Sequence, residues 1–284
     1  MTTPTPTPAP APPPPPSDAP LLHRLERYYD TVPRTAARAE DFGPLTLFVR
    51  ESGGWPLYAR PALGRTGPAA TPADITRVRA RQRELGLPEA FEWIGEFTPG
   101  LAASAVAAGL TVHAHPLMAL PPLAPTPRTL PSVRIITPED PALHGALALP
   151  HLAFATPGTA VGTAGPPELT AEIMAHMNDG AVPATRDRIR AGHTVLAAAV
   201  ENGVVVCSGM HLPVDTVTEI AGIGTLPSAR RRGFGAAVTA ALVAHARASG
   251  VETVFLSAGD ENVARLYGRL GFERVATALI AEAE

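Results

Sequence analysis

The chain has one cysteine, Cys207, and no lysine: all 23 of its basic residues are arginine. A single thiol rules out an internal disulfide and fits a reducing compartment. Aromatic residues make up only 5 % of the chain, and the formal net charge is −3. No basic face or tail stands out, so nothing global suggests a nucleic-acid partner. Apolar runs such as Val195 to Val200 fall far below the ~20 residues of a membrane helix. The start, Met1-Thr-Thr-Pro, lacks the charged and apolar regions of a secretory signal. The expectation is a cytoplasmic protein with neither nucleic acid nor a membrane as partner.

Proline and small apolar residues are plentiful, with 33 prolines and 45 % hydrophobic residues in 284. That is enough for one large domain or two modest ones with a real core. Residues 1–20 form a Thr-Pro and Ala-Pro tract that can bury little, so they read as a disordered tail rather than a ligand for a proline-binding domain. Helical spacing of Leu21, Leu22, Leu25, Tyr28 and Tyr29 predicts an amphipathic helix over 21–32. Strands are predicted at 45–50 and 55–60 around a Ser52-Gly53-Gly54 turn. Thr71-Pro72-Ala73-Asp74 predicts a helix start, with a stripe of Ile75, Val78, Gln82 and Leu85. A strand at 91–94, a helix at 101–108 and a strand at 110–118 follow. Pro121 to Pro131 holds five prolines in eleven residues and reads as a linker. The domain reading is therefore 21–120, a linker at 121–132, and 133–284.

The second domain opens with a predicted strand at 133–136 and a helix at 141–149. A Gly/Pro/Thr-rich stretch, 156–167, precedes helices at 168–177 and 184–191. Glu201-Asn202-Gly203 lies between two β-rich runs, 193–200 and 204–210, a strong hairpin signal. A third strand, 216–226, makes an antiparallel meander.

After that strand come Arg230-Arg231-Arg232-Gly233-Phe234-Gly235-Ala236 and a helix to about Ser249, then an apolar strand, 251–257. The first N–H groups of a helix lack partners and carry partial positive charge. Glycine lets the backbone approach closely, and arginines add forked donors, so a diphosphate is the natural occupant. A dinucleotide-binding Rossmann turn would need a third glycine where Val238 stands, and an acidic residue ending the next strand, which Glu252 instead begins.

Arg230-x-x-Gly233-x-Gly235 resembles the acetyl-CoA loop of the GNAT superfamily of N-acetyltransferases. Asp260 to Phe272 is similar to that superfamily's closing helix, with Tyr267 a few residues before Gly271-Phe272. The resemblance spans roughly 133–284. It implies an α/β (α+β) GNAT fold with a mixed, mostly antiparallel sheet, using acetyl-CoA as co-substrate and no metal. The backbone of Arg231, Arg232, Gly233, Phe234, Gly235 and Ala236 would hold the pyrophosphate, beside the guanidinium of Arg230. Pantetheine would pair where the third strand splays, at Gly224, Thr225 and Leu226. Many members carry Asn at the position of Asp260, which contacts the CoA arm.

Glu219, fourteen residues before Gly233, stands at the offset of the base glutamate in the histone-acetylating members. It reads as a general base or as a solvent-facing strand residue. Tyr267, at the family's acid position, would protonate the departing thiolate. Cys207, in a Val-rich strand, reads as a small core hydrophobe rather than an acyl carrier. His193 and His211 lie near hairpin strand ends and read as structural, though His211 could face the acceptor. His113 and His115 alternate on a strand without a third metal ligand nearby.

The order of elements in 41–120 echoes the C-terminal half, with Gly109-Leu110 where Gly271-Phe272 stands. It lacks an Arg-x-x-Gly-x-Gly, so a degenerate GNAT-like repeat without an acetyl-CoA site is expected, packing on the second domain. The expected activity is transfer of acetyl to a primary amine of a small molecule or peptide. A non-catalytic acyl-CoA sensor is the alternative, a scaffold acting through its proline tail is a weaker one, and a homodimer is compatible with the sequence.

Overall fold

The computed structural model describes residues 19–65, 69–125, 128–176 and 178–283. Most of the tail expected at 1–20 lies outside the described residues, and Ala19 and Pro20 already belong to the first helix.

The N-terminal half runs α1 (Ala19–Thr31), β1 (Ala37–Asp41), β2 (Leu45–Arg50), β3 (Ala59–Pro61), α2 (Pro72–Glu84), β4 (Ala90–Ile94), α3 (Leu101–Ala107) and β5 (Thr111–Leu120). The C-terminal half runs β6 (Val133–Ile136), α4 (Leu143–Phe154), α5 (Pro166–Ala175), α6 (Ala181–Arg190), β7 (Val195–Glu201), β8 (Val204–Val214) and β9 (Val217–Thr225). It continues with α7 (Phe234–Ala248), β10 (Thr253–Ser257), α8 (Glu261–Gly268) and β11 (Glu273–Glu282).

Three expectations need correction. The strand placed at 55–60 shrinks to Ala59–Pro61, because Pro56 cannot donate to a ladder. The Arg50 guanidinium instead ties down the loop by donating to the Trp55 carbonyl at 2.6 Å. Helix α4 runs through Pro150 to Phe154, beyond the end expected at Leu149. The missing N–H costs an intrahelical bond, but Leu149, Pro150 and Ala153 pack on the bare face of Gly224, where a Cβ would lie 3.0–3.2 Å from them. Strand β1, Ala-Arg-Ala-Glu-Asp, carries no apolar alternation and was not expected. It is an edge strand held by its ladder to β2.

All eleven described strands form one sheet, in the order β1-β2-β3-β4-β11-β5-β10-β9-β8-β7-β6. Only β3–β4 and β9–β10 pair in parallel. The final strands are exchanged: β5 of the first half lies between β11 and β10, and β11 lies between β4 and β5. The centre thus reads the same from either side, a parallel pair followed by the other half's last strand. Apolar packing follows this plan. One core belongs mainly to each half, with Met118 and Leu120 of β5 joining the C-terminal core and Ala281 of β11 joining the N-terminal one. A third, under α1, joins Leu25, Tyr28 and Tyr29 to Ile94, Leu117, Phe255 and Ala278 across the seam. Among the described residues, no helix is long and apolar enough to cross a membrane.

Candidate functional site

Strand β9 leads through a short 3-10 turn, Pro227–Ala229, into the start of α7. Gly233 caps that helix at φ +84°, with no side chain donating or accepting at the cap. Arg231 is also left-handed, at φ +66°. The first helical bond is Ala237 N–H to the Gly233 carbonyl, 3.0 Å. No backbone N–H from Arg231 to Ala236 donates to a carbonyl of the described residues. Residues 231–233 are exposed, Phe234 is buried and Gly235 and Ala236 are half-buried, so six consecutive amides without a backbone acceptor lie at the positive end of a fifteen-residue helix, three of them on exposed residues. A Cβ on Gly233 would meet nothing within 4 Å, and one on Gly235 would lie 3.6 Å from the Thr225 hydroxyl. The corner therefore has the charge, the donors and the clearance that a diphosphate requires.

The three arginines expected to flank it have different tasks. Arg230 is buried, and its guanidinium donates to the carbonyls of Ala153, Thr156 and Ala160 at 3.0, 2.6 and 3.2 Å. It fastens the loop after α4 and is not a free anion ligand. Arg232 pairs with Glu201 at 2.9 Å and lies over the Phe234 ring at 4.8 Å. The Arg231 side chain is exposed and makes no ion pair with a described residue.

The parallel ladder of β9 and β10 ends at the pair Phe255–Glu219. Beyond Glu219, β9 has no strand on its β10 side, so the gap opens earlier than the expected Gly224-Thr225-Leu226. A bulge between Ser208 and Met210 of the β8 ladder, with Gly222 at φ +65°, bends β9 away. Gly224 is packed under α4, and the Leu226 N–H is already bonded to the Val206 carbonyl at 2.9 Å. The Thr225 hydroxyl contacts Cys207 Sγ at 3.3 Å. The bulge leaves no periodicity signal in the sequence, which is why the gap was misplaced.

The two expected catalytic groups lie on opposite faces of the sheet, Glu219 by strand alternation and Tyr267 by its packing in the core beside α7. Thr218 points toward α7, where its hydroxyl meets His211 Nδ1 at 3.0 Å and His211 Nε2 meets His245 Nδ1 at 3.0 Å. Burial holds His211 down at about 4, so it is a neutral core residue. Glu219 points the other way, toward α1, and accepts from the Tyr29 hydroxyl at 3.2 Å. Its own N–H donates to the Tyr28 hydroxyl at 3.2 Å, which donates to the Leu212 carbonyl at 2.7 Å. Burial first, and the Glu92 carboxyl second, raise the Glu219 carboxyl to about 8, against a lowering bond from Tyr29.

Tyr267 is 8 % exposed, on the α7 side, edge-on to Phe272 at 5.9 Å. Burial raises its phenol, which a bond from Thr239 opposes, so it keeps its proton at neutral pH. Cys207 is fully buried and pushed up to about 12, a poor nucleophile. Asp260 caps α8 by accepting from the Val263 N–H at 2.8 Å. Its side chain is exposed and serves the helix.

Two features escaped the sequence reading. Among the described residues, His151, Glu172 and His176 are a group with ligand atoms within 4.8 Å. The two imidazoles stack at 4.2 Å and 23°, and both His176 nitrogens meet carboxylates of Glu172 and Asp179. Both nitrogens of His176 are thus engaged by carboxylates rather than turned toward a common point with His151. Helix packing brought these residues together from α4 and the end of α5. His113 and His115 are separate from them; His115 meets the Gly259 carbonyl at 2.9 Å. The second feature is a cavity of about 50 Å³ lined by Tyr29, Glu92, Trp93, Glu219, Ser257 and β11. A larger cavity of about 770 Å³ lies beside Pro61–Arg65 and Phe97–Leu101 in the first half.

A mixed sheet with a parallel pair that diverges beside a glycine-capped helix start defines an acyl-CoA N-acyltransferase fold. Residues 168–272 match the model of the acetyltransferase (GNAT) family. Residues 168–272 therefore form a GNAT-family domain, a family of acyltransferases. The chain is similar to a GCN5-related N-acetyltransferase from Kribbella flavida, 23 % identical over 93 % of this chain and 95 % of that one, TM-score 0.65. It is also similar to a GCN5-related N-acetyltransferase-like protein from Streptococcus suis, 12 % identical over 94 % and 99 %, TM-score 0.55. These likenesses run through both halves and concern the fold. No curated protein matches the chain.

Proposed function

We propose that this protein transfers an acetyl group from acetyl-CoA to a primary amine by direct attack. The observation that carries this reading is the six unpaired amides at the exposed start of α7, next to a gap in the sheet with Glu219 at its mouth. Backbone N–H groups of Arg231 to Ala236 hold the diphosphate, with Arg231 adding charge. The unpaired edge of β9 beyond Glu219 receives the pantetheine arm, and an amide of that edge stabilises charge developing on the thioester oxygen.

Only a neutral amine attacks. Glu219 takes the proton from the acceptor's ammonium group, directly or through water. The nitrogen lone pair forms the new C–N bond, and the C–S bond breaks. Tyr267 gives its phenolic proton to the leaving thiolate, so the products are the acetamide and free CoA. Glu219 and Tyr267 work from opposite faces of the sheet, and the gap between β9 and β10 connects them.

The test is calorimetry with acetyl-CoA followed by thiol release against a panel of amines, peptides and amino sugars. Binding together with acceptor-dependent thiol release is the expected result. Tight binding with no transfer to any acceptor would make the domain an acyl-CoA sensor. Absence of binding would remove the reading altogether.

A further inference from the structure

The small cavity beside Glu219 is built by both halves. Glu219 and Ser257 come from β9 and β10, where the two strands part. Tyr29 comes from α1, Glu92 and Trp93 from β4, and Ala278, Leu279 and Ile280 from β11. Glu92 shares the parity of Ile94, which packs in the core under α1, whereas Phe91 and Trp93 pack in the other core. The Glu92 side chain therefore points to the same face as Glu219.

Among the described residues, the Glu219 carboxyl has the Tyr29 hydroxyl as its one side-chain hydrogen-bond partner, and the Glu92 carboxyl has no hydrogen bond or ion pair. The charged groups that influence them are few. Arg60 on β3 and Glu282 on β11 act on Glu92, and Arg60 is itself ion-paired with Glu26. The Glu92 carboxyl also disfavours ionisation of Glu219. Ionising both groups in a mostly apolar chamber is costly unless a cation sits between them. The chamber opens where the proposed reaction takes place.

We propose that Glu92 is a specificity residue that, opposite Glu219, holds the ammonium group of the acceptor. This rests on the acetyltransferase reading above. A chamber of about 50 Å³ clears the ~10–15 Å³ that one water needs, so a small cationic head fits. Two facing carboxyls favour a head with three N–H donors over one that has given donors up to methyl groups. A carboxylate on the adjoining carbon meets two like charges. The acceptor is accordingly a primary alkylammonium, such as a diamine or a lysine side chain, and not the α-amino group of an amino acid. The N-terminal half, which lacks a cofactor corner, thereby serves the reaction by completing the acceptor site.

Three probes test this: 1,4-diaminobutane, its N-methylated analogue, and alanine. Wild-type protein is expected to acetylate the diamine and to use the other two at least about tenfold less efficiently, the scale of one charge-assisted bond. Glu92→Gln, which keeps the side chain's shape, is expected to raise KM for the diamine about tenfold or more. It should leave kcat within a few-fold and the acetyl-CoA dissociation constant unchanged, which also reports an intact fold. Glu92→Asp should recover part of the loss. Binding of 1,4-diaminobutane by calorimetry gives a readout without turnover, and Glu92→Gln should abolish it. An unchanged KM and unchanged diamine binding in Glu92→Gln, or equal use of alanine, overturns the assignment while acetyl transfer stands. Failure of the wild type to bind acetyl-CoA overturns the reading beneath it, and the acceptor site with it.

Discussion

The two halves start equivalent helices in opposite ways. In each, a parallel strand pair encloses a helix, α2 between β3 and β4, and α7 between β9 and β10. Helix α2 satisfies its own N-terminus: the Thr71 hydroxyl accepts from the Asp74 N–H at 3.2 Å, and the Asp74 carboxylate accepts from the Thr71 N–H at 2.8 Å. Pro72 removes a further donor. Helix α7 begins on bare Gly233 and leaves its donors to solvent. Glu219 pairs with Phe255, and its counterpart Ala59 pairs with Phe91. Four residues before Gly271 stands Tyr267; four before Gly109 stands Ala105. The N-terminal half closes its helix start with its own side chains and has alanines at the places of Glu219 and Tyr267, while the C-terminal half leaves its helix start uncapped. A helix start can be stabilised by its own side chains or left open for a ligand, but the same amides cannot do both.

The sharpest way to break this comparison is to give α7 the cap of α2. Ala236→Asp places a carboxylate at the third helical position, the place Asp74 holds in α2. Its negative charge competes for the amides and repels a diphosphate. Acetyl-CoA affinity measured by calorimetry is expected to fall by about two orders of magnitude, with no loss of thermal stability. Retained affinity would mean that the diphosphate lies elsewhere.

Tyr267→Phe removes the hydroxyl that the N-terminal half lacks at Ala105. Turnover should drop roughly 10²-fold, within the range for general acid catalysis, while the acetyl-CoA dissociation constant stays the same. Equal turnover would return Tyr267 to a packing role beside Phe272.

Glu219→Gln tests its carboxyl through pH. The folded carboxyl titrates near 8, above the ~4.3 of an unfolded glutamate, so the folded state binds its proton more tightly. The contribution to stability is full below about pH 4 and is lost as pH rises through 8. The variant should therefore match the wild type in melting temperature at pH 4 and exceed it increasingly up to pH 9. The wild type's kcat/KM should rise with pH to a limb near 8 that the variant lacks. A constant difference in melting temperature across this range would count against a buried, titrating carboxyl.

The smallest expected effect is at the closed helix. Thr71→Ala removes one cap and should cost about 1 kcal/mol in denaturant melts, without creating a second acetyl-CoA site.

Local signals accounted for much of this. The Asn202-Gly203 hairpin, the Thr71 helix start and the Arg230-x-x-Gly233-x-Gly235 corner each depend on a few neighbouring residues, and they stand where the sequence places them. Groups whose partners are distant were not legible. Arg230 looks like an anion ligand in sequence, and only the fold shows the carbonyls of the loop 153–160 around it. Glu92 is one polar residue in a short strand, and nothing local links it to a glutamate more than a hundred residues away.

The sequence by itself determined most of the elements and the glycine-started helix with its unpaired amides, because short-range backbone chemistry sets them, while Glu219 and Tyr267 were singled out by resemblance to a family. Tertiary structure alone decided the strand exchange between halves, the point where β9 leaves β10, and the chamber shared by Glu92 and Glu219. Those depend on ladder register and packing between distant segments, which no local spacing encodes.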